Sequence, residues 1–282
     1  MFLKKRRYLF IMLSPALLFV PSWYIILKSD IFEDSKHGLK SEKKIKVGVL
    51  IPSTTRGIRF QGIEKFSLFK ISLPSFYKTM QTEYDYTIYV GIDINDTLNS
   101  CIHDIEGFGD NIIVVRVNGS TFTKAVNTIA EKAVQDGADY LVRVNDDTQF
   151  VTNKWTSLCI ESLQSFEPPN IGVVGPLCLR DKETILTQDF VHVTHFHIFG
   201  FYYPPQLDNW WADDWITLVY EPSRSKRLLA WEVKHFRREK RYRVKVRQQN
   251  LLEPLISGGK KTLTSYINSS VSDNITINNK LL

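Results

Sequence analysis

The sequence contains little cysteine and only one long hydrophobic run. Three cysteines among 282 residues are too few for a disulfide scaffold, so apolar burial has to stabilise the fold. No second run long enough to cross a bilayer follows the first, which argues against a multi-span channel or transporter. The patterns GxGxxG and GxxxxGK(S/T) are also absent, which argues against a dinucleotide-binding Rossmann domain and a P-loop NTPase. The 43% hydrophobic and 23% charged residues indicate a globular protein.

The net charge of +6 is distributed unevenly along the chain. Residues 1–7 carry four basic residues and no acid, and residues 224–247 carry eleven Lys and Arg against two Glu. The rest of the chain is therefore mildly acidic. Because a nucleic-acid binder usually spreads basic charge over its working face, no nucleic-acid partner is predicted.

The one long apolar run covers residues 8–27 and follows the first basic cluster. At about 1.5 Å per residue, a helix of this length spans roughly the 30 Å of a bilayer core. Because basic clusters stay cytoplasmic, we predict a cytoplasmic tail at 1–7, a transmembrane signal anchor at 8–27 and a stalk at 28–44. The bulk of this single-pass type II protein then lies in the secretory-pathway lumen, in the Golgi or endoplasmic reticulum. A cleaved signal peptide is the alternative.

Glycosylation sequons fit this lumenal topology. Four Asn-x-Ser/Thr triplets follow the anchor, at Asn95, Asn118, Asn268 and Asn274. The three cysteines are Cys101, Cys159 and Cys178. Their positions do not show which pair would be oxidised, and no Cys/His spacing suggests a zinc site.

Short β-branched runs alternate with amphipathic segments from residue 45 onward. Strands are predicted at 45–52, 84–92, 111–117, 139–144 and 170–174, and helices at 62–80 and 121–135. This alternation predicts an α/β fold, a Rossmann-like and mostly parallel sheet flanked by helices, over residues 45–261. The Ser/Thr/Asn-rich residues 262–282 are predicted to form a flexible tail. In such sheets ligands bind beyond the carboxyl ends of the strands, which selects residues 53–56, 93–96 and 145–148.

Two adjacent carboxylates follow the fourth predicted strand directly, in the sequence Asn145-Asp146-Asp147. Hard divalent cations take oxygen ligands, which carboxylates at a strand end supply. A metal ion there would hold a nucleotide diphosphate. The alternative is a polar turn that caps the strand, because Asn and Asp favour turns.

Residues 46–148 resemble the nucleotide-binding half of GT-A fold glycosyltransferases. The segments that carry this resemblance are KVGVLIPSTTRG, YTIYVGIDIND and ADYLVRVNDDT. The third is similar to the DxD motif, with Asn145 in its first position and Asp147 in its second. Asn145 departs from the motif because its amide oxygen can ligate a metal but brings no charge. The resemblance implies Mn²⁺ or Mg²⁺ as cofactor, a nucleotide-sugar as donor substrate, and a donor site formed by Ser53, Thr54, Arg56, Asp93, Asp96 and Asp146.

An aromatic-rich segment at 199–220 contains a second pair of acids, Asp213 and Asp214. Aromatic faces suit sugar rings, and a carboxylate among them can act as a general base. The pair resembles the xED motif of the same family, whose final acid deprotonates the acceptor in inverting transfer. The resemblance therefore implies that Asp214 is the base and Asp213 a positioning residue or the alternative base. An ordinary helix start, with acids in the first turn, is the other interpretation.

The histidines form two groups. Three alternate on a predicted strand at 191–199, where packing or acceptor contact is favoured over a metal site: His192, His195 and His197. His235 lies later, and by its order it resembles the late histidine that GT-A enzymes use as a further metal ligand. The basic residues around it, at 234–243, would neutralise a departing diphosphate or form a solvated basic face.

Together these features predict a membrane-anchored glycosyltransferase that moves a hexosyl or N-acetylhexosaminyl group. The acceptor is predicted to be a hydroxyl of a glycan, glycoprotein or glycolipid, and the reaction to be inverting. Three alternatives stay open: a retaining transferase on the same fold, a nucleotidyltransferase, and an anchored carbohydrate-binding protein without turnover. The last draws its support from Asn145, which lacks the charge of the motif's first acid.

Overall fold

The structure is a computed structural model that describes residues 43–119, 121–179, 184–236 and 246–280. The predicted cytoplasmic tail, the anchor and nearly all of the stalk lie outside these residues, as do the basic residues 237–245. In the described parts of the chain, no helix combines the length and the apolar character needed to cross a membrane.

One mixed sheet organises the described residues. Its strands are β1 (Lys46–Ser53), β2 (Asp85–Asp93), β3 (Ile112–Val117), β4 (Tyr140–Arg143), β5 (Thr148–Phe150), β6 (Val173–Leu179), β7 (Asp189–His192) and β8 (Ser225–His235). Across the sheet they follow the order β3-β2-β1-β4-β7-β6-β8-β5. The first four form a parallel block, in which β1 pairs with β2 and β4, and β2 pairs with β3.

The second half of the sheet departs from the mostly parallel prediction. Strand β7 runs antiparallel to β4 and β6, and β5 runs antiparallel to β8, while β6 and β8 are parallel. Strands β5 and β8 had no place in the sequence prediction, and β7 coincides only with the start of the strand predicted at 191–199. Short strands such as β5 carry too little periodicity to be read without their partners.

Helices cover both faces of this sheet. They are α1 (Leu73–Thr79), α2 (Ile102–Glu106), α3 (Phe122–Gln135), α4 (Trp155–Gln164), α5 (Thr194–Phe199), α6 (Ala212–Tyr220) and α7 (Val246–Lys280). The predicted helix at 121–135 is confirmed as α3, and the Thr121 side chain caps it by accepting from the backbone N–H of Lys124 at 3.2 Å. One apolar layer includes Phe76 and Trp155, and the other includes Ile129 and Trp215.

The predicted helix at 62–80 is interrupted once, at Phe66, whose backbone is extended, and the helix after it changes from π to α geometry. A 3-10 turn covers Ile63–Lys65, a π-helical turn covers Leu68–Ser72, and α1 begins only at Leu73. The π-helical turn passes directly into α1, because the backbone is helical at both Ser72 and Leu73. Pro74, the second residue of α1, has no N–H to donate to the turn before it, and the change from π to α geometry lies at this point.

Two further segments differ from their predicted secondary structure. The predicted strand at 191–199 ends at His192, and α5 follows, so His195 and His197 lie on a helix that ends at Gly200 with φ 73°. The predicted tail from residue 262 is helical, because α7 continues through Lys280 and buries Leu263 against the second apolar layer. Its polar composition hides the few apolar residues that fix it to α6 and α5.

Candidate active site

The carboxyl ends of the parallel strands bring the predicted site segments to one edge. In the sheet register Ser53 lies beside Ile92, and Leu50 lies beside Arg143. Residues 53–56, 93–96 and 145–148 therefore leave the sheet side by side, as the topology rule requires. The end of β8 reaches the same place from the other half, because His235 pairs with Thr148.

The turn at Asn145–Thr148 is buried and fixed from several sides. The Thr148 N–H donates to the Asn145 carbonyl at 3.1 Å, and the Asn145 N–H donates to Thr148 Oγ1 at 3.2 Å. The buried Ser72 hydroxyl, at the end of the π-helical turn, lies 2.9 Å from the Thr148 carbonyl oxygen and 3.3 Å from that of Asn145. The π-helical turn thus holds the turn that carries both acids, and π-helical turns are common at functional sites.

Asp147, His235 and Asn145 meet at this edge. Asp147 Oδ1 lies 3.0 Å from His235 Nε2, and the Asn145 side-chain amide lies 3.2 Å from the same nitrogen. A single ring nitrogen either donates to the carboxylate or accepts from the amide, so it cannot satisfy both neighbours. A cation between them would instead use one carboxylate oxygen, one imidazole nitrogen and one amide oxygen.

The donor set of these three side chains fits a divalent cation completed by its ligand. A divalent cation would accept one carboxylate oxygen, one imidazole nitrogen and one amide oxygen as ligands, and Asp147 Oδ1 and His235 Nε2 already lie 3.0 Å apart. Within the described ranges, no group of three or more His, Cys, Asp or Glu side chains is placed to hold a metal ion. The set therefore contains two such side chains and an amide, and it leaves positions for phosphate oxygens and water.

The predicted nucleoside residues form a second hydrogen-bonded group. Asp96 accepts from Thr54 Oγ1 at 2.6 Å, and from the backbone N–H and hydroxyl of Thr55 at 3.0 and 2.9 Å. Asp93 accepts from the Asn95 N–H at 2.8 Å, so its carboxylate shapes its own turn. Arg56 is exposed at the rim of this group.

Ser53 and Asp146 join β1 to the acidic turn. The Ser53 hydroxyl donates to Asp146 Oδ2 at 2.8 Å, and both side chains are buried. Only 1% of the surface of Asp146 is exposed, so its carboxylate stabilises the turn and has almost no surface for a ligand.

The predicted catalytic acids, Asp213 and Asp214, lie in the first turn of α6. Asp213 is paired with Arg143, at the end of the strand that leads to Asp147. Asp213 Oδ1 lies 2.7 Å from Arg143 Nη2, and the same nitrogen lies 2.8 Å from Asp189 Oδ2. Asp214 follows in the first turn of α6 and is partly exposed. The residue before α6, Trp211, has φ 76°, so the helix enters through a sharp turn.

Arg143 is the centre of a buried network that sequence reasoning did not find. Its Nε donates to the Tyr203 hydroxyl at 2.7 Å, and the Tyr202 and Tyr203 hydroxyls donate to Asp189 at 2.5 and 2.6 Å. Burial alone would lower the pKa of Arg143, but the carboxylates of Asp189 and Asp213 raise it above its usual value. The available signal was an arginine inside the apolar run DYLVRV, which demands a buried partner.

The described fold is similar to that of solved GT-A glycosyltransferases. The S. aureus TarS fragment 1–349 in complex with UDP-GlcNAc matches with a TM-score of 0.55 and 15% identity, over 76% of this chain and 66% of that one. GalNAc-T7 with UDP, GalNAc and Mn²⁺ matches with a TM-score of 0.54 and 12% identity, over 80% of this chain and 55% of that one.

This likeness concerns the fold, and it covers less than two thirds of the length of either matched chain. No protein-family model matches the chain, and no curated protein matches its sequence. The chain therefore has the mixed α/β architecture of these enzymes, while its activity has to be argued from its own site.

Proposed function

We propose that the protein is a metal-dependent glycosyltransferase that moves a sugar from a nucleotide-diphospho-sugar to an acceptor hydroxyl. The observation that carries this proposal is the meeting of Asn145, Asp147 and His235 at the carboxyl edge of a GT-A type sheet. The ligands named for the matched structures, UDP-GlcNAc in one and UDP with Mn²⁺ in the other, support it.

In this proposal Asp147, His235 and Asn145 hold Mn²⁺ or Mg²⁺. When bound, such an ion supplies a Lewis acid that stabilises the leaving nucleoside diphosphate. The nucleoside lies against the loop after β1, which Asp96 fixes through Thr54 and Thr55. The bond between Ser53 and Asp146 keeps this loop and the metal side chains in one register.

Asp214 is the proposed general base, and Asp213 is its positioning residue. The carboxylate of Asp213 is paired with Arg143, which lies two residues before Asn145, so it ties the start of α6 to the metal strand. Asp214 takes the proton of the acceptor hydroxyl as that oxygen attacks the anomeric carbon and the bond to the diphosphate breaks. Attack from the face opposite the leaving group inverts the anomeric centre.

We further propose that residues 8–27 anchor the protein and that the described residues face the lumen of the Golgi or endoplasmic reticulum. Support comes from the apolar run and from Asn95 and Asn118, whose exposed side chains suit glycan attachment. Treatment of the cell-made protein with an N-glycosidase tests this topology. A shift in mass that Asn95→Gln and Asn118→Gln reduce is expected, and an unmodified chain would contradict it.

The activity is tested with a panel of nucleotide-sugars, by measuring release of nucleoside diphosphate with Mn²⁺ and with EDTA. Wild-type protein is compared with Asp147→Ala, Asp214→Ala and the matched control Asp104→Ala, an exposed acid on α2. We expect metal-dependent release from one donor, loss of this release in Asp147→Ala, and wild-type release in Asp104→Ala. In Asp214→Ala, transfer should fall at least a hundredfold, because a general base contributes about that much.

Release that is the same in EDTA, or that Asp147→Ala retains, would contradict the metal assignment. A folded protein that binds and cleaves no donor would instead support the carbohydrate-binding alternative. Analysis of the product's anomeric configuration then distinguishes inverting from retaining transfer.

A further inference from the structure

A cavity of about 400 Å³ lies beside the proposed metal site, and Asp147 is the residue that connects the two. The rest of its described lining comes from residues 58–70, in the segment that runs from the loop after β1 into the π-helical turn. Ser53, Thr54 and Asp96 are not among the described residues that line it. In the proposed function, a ligand in this cavity would therefore lie beside the metal-bound diphosphate of the donor.

The charge of this cavity is strongly biased. Three cationic side chains line it, those of Arg59, Lys65 and Lys70. They make no hydrogen bond or ion pair with any part of the chain that the structure describes. The one acid of this segment, Glu64, has its carboxylate against Gly62 and does not line the cavity, so Asp147 is its acidic lining residue.

The metal-bound donor would not neutralise these cations. A divalent ion at Asp147 and His235 balances the two negative charges of a nucleotide-sugar diphosphate. The three cations then face a single carboxylate, so the cavity keeps an excess of positive charge with the donor in place. Such an excess favours a further anion, and guanidinium and ammonium groups both suit an oxyanion.

The shape and the remaining lining fit a sugar that carries this anion. The volume lies within the roughly 300–1,000 Å³ typical of small-molecule sites. Phe60 adds aromatic surface, and its ring packs edge to face on the buried Phe66 with centroids 6.0 Å apart. Aromatic surface of this kind packs against the apolar face of a sugar ring.

We propose that this cavity binds the acceptor, and that the acceptor carries a phosphate, sulfate or carboxylate group near the hydroxyl that is glycosylated. This inference rests on the proposed glycosyltransferase function. Arg59, Lys65 and Lys70 select the anionic acceptor, while Asp147 contributes to the donor side.

The test uses the full chain, the donor found by the nucleotide-sugar panel, and matched acceptors. These are methyl galactoside, its 6-phosphate, its 6-sulfate and methyl galacturonide. At low ionic strength we expect kcat/KM for a charged acceptor to exceed that for the neutral one by roughly tenfold or more. Added salt should reduce this difference, because screening weakens exposed charges.

The double variant Lys65→Gln/Lys70→Gln identifies the site of this selection. Its KM for the charged acceptor should rise by roughly tenfold, while its KM for the donor changes less than about twofold. The matched control is Lys78→Gln, an exposed lysine on α1, which should leave both KM values unchanged.

Three results would overturn the inference. Equal kcat/KM values for neutral and charged acceptors would show that the protein does not select a charged acceptor. A rise of the donor KM in the double variant, with the acceptor KM unchanged, would assign the cations to the donor diphosphate. Calorimetry tests the cationic site without turnover. Equal affinity of the wild type and the double variant for galactose 6-phosphate would show that Lys65 and Lys70 do not bind the anion.

Failure of the proposed function has a different signature. In that case no donor releases nucleoside diphosphate and no nucleotide binds, whereas failure of the acceptor inference leaves both intact. Metal-dependent donor cleavage with no preference among acceptors therefore contradicts this inference alone.

Discussion

Asp189 is a fully buried acid whose two oxygens are both occupied. They accept from Arg143, Tyr202 and Tyr203, all of which are buried as well. An ion pair of this kind offsets its own desolvation only while every partner is present. Asp213, the second carboxylate on Arg143, keeps 32% of its side chain exposed.

This difference predicts unequal costs for two chemically identical changes. Asp189→Asn should lower the free energy of unfolding by about 3–5 kcal/mol, because it leaves the buried charge of Arg143 poorly compensated. Asp213→Asn should cost about 1 kcal/mol, since water reaches this carboxylate. Chemical denaturation of both variants measures the two values, and equal losses would contradict the assigned network.

His195 is a buried neutral histidine. Its ring lies 2.9 Å from both the Tyr220 hydroxyl and the Tyr202 carbonyl oxygen, and burial lowers its pKa to about 4. Between about pH 6.5 and pH 4 the ring is therefore neutral in the folded protein. In the unfolded chain, where its pKa is near 6.5, the same ring is protonated over this range. Its stabilising effect is complete above pH 6.5 and is lost as the pH falls toward 4.

We predict that the wild-type protein loses about 3 kcal/mol more of its free energy of unfolding than His195→Gln does between pH 7 and pH 4. The comparison with the variant removes the contribution of the carboxylates, which titrate in both proteins. Denaturation curves at intermediate pH values measure it, and parallel pH profiles would show that His195 is not protected from protonation.

Helix α7 shows how an element can be fixed by a few contacts. Gly259 faces α6, where an added Cβ would lie 2.6 Å from Val219 Cγ2, while an added Cβ on Gly258 meets nothing within 4 Å. The Trp215 indole N–H also donates to the Leu255 carbonyl at 3.1 Å. The helix is therefore held closely against α6 along one side.

The two adjacent glycines give a matched pair of substitutions on α7. Gly258→Ala should raise the free energy of unfolding by about 0.5–1 kcal/mol, because alanine loses less conformational entropy in a helix. Gly259→Ala should lower it by about 1–3 kcal/mol, because Val219 is β-branched and buried and cannot move aside. Thermal or chemical unfolding checks both signs, and stabilisation by both changes would show that α7 does not pack as described.

The elements differ in how far the sequence predicts them. The strands of the parallel block are buried β-branched runs, so β1, β2, β3 and β4 were predicted within a few residues. The π-helical turn before α1 ends at Ser72, whose hydroxyl bonds to the distant turn at Asn145–Thr148, and no local pattern contains this contact. Helix α7 was missed because its polar sequence buries little.

The residues of the candidate site also differ in how far the sequence predicts them. The pair Asp146 and Asp147 is local in sequence and could be predicted from its place after a strand. The contact of His235 with Asp147 depends on the antiparallel pairing of β5 with β8, so only the family resemblance suggested it. The cations at 58–70 gave no signal, because surface lysines and arginines are common and only the fold shows that these line a cavity.

At the scale of the whole molecule, the two halves of the sheet contribute different parts of one site. The parallel half supplies the loop after β1 and the turn with Asp147, and the mixed half supplies His235 at the end of β8. Arg143 joins the parallel half to α6 through Asp213. In the proposed function, binding of a metal-nucleotide complex would therefore require both halves to fold together.

The most direct test of this account is calorimetric titration of Mn²⁺ in the presence of uridine or guanosine diphosphate, which needs no turnover. We predict that the wild-type protein binds the metal-nucleotide complex, and that Asp147→Ala and His235→Ala each weaken binding by roughly tenfold or more, while Asp104→Ala does not. Equal affinity in wild type, Asp147→Ala and His235→Ala would contradict the assignment of these side chains to a metal-dependent donor site.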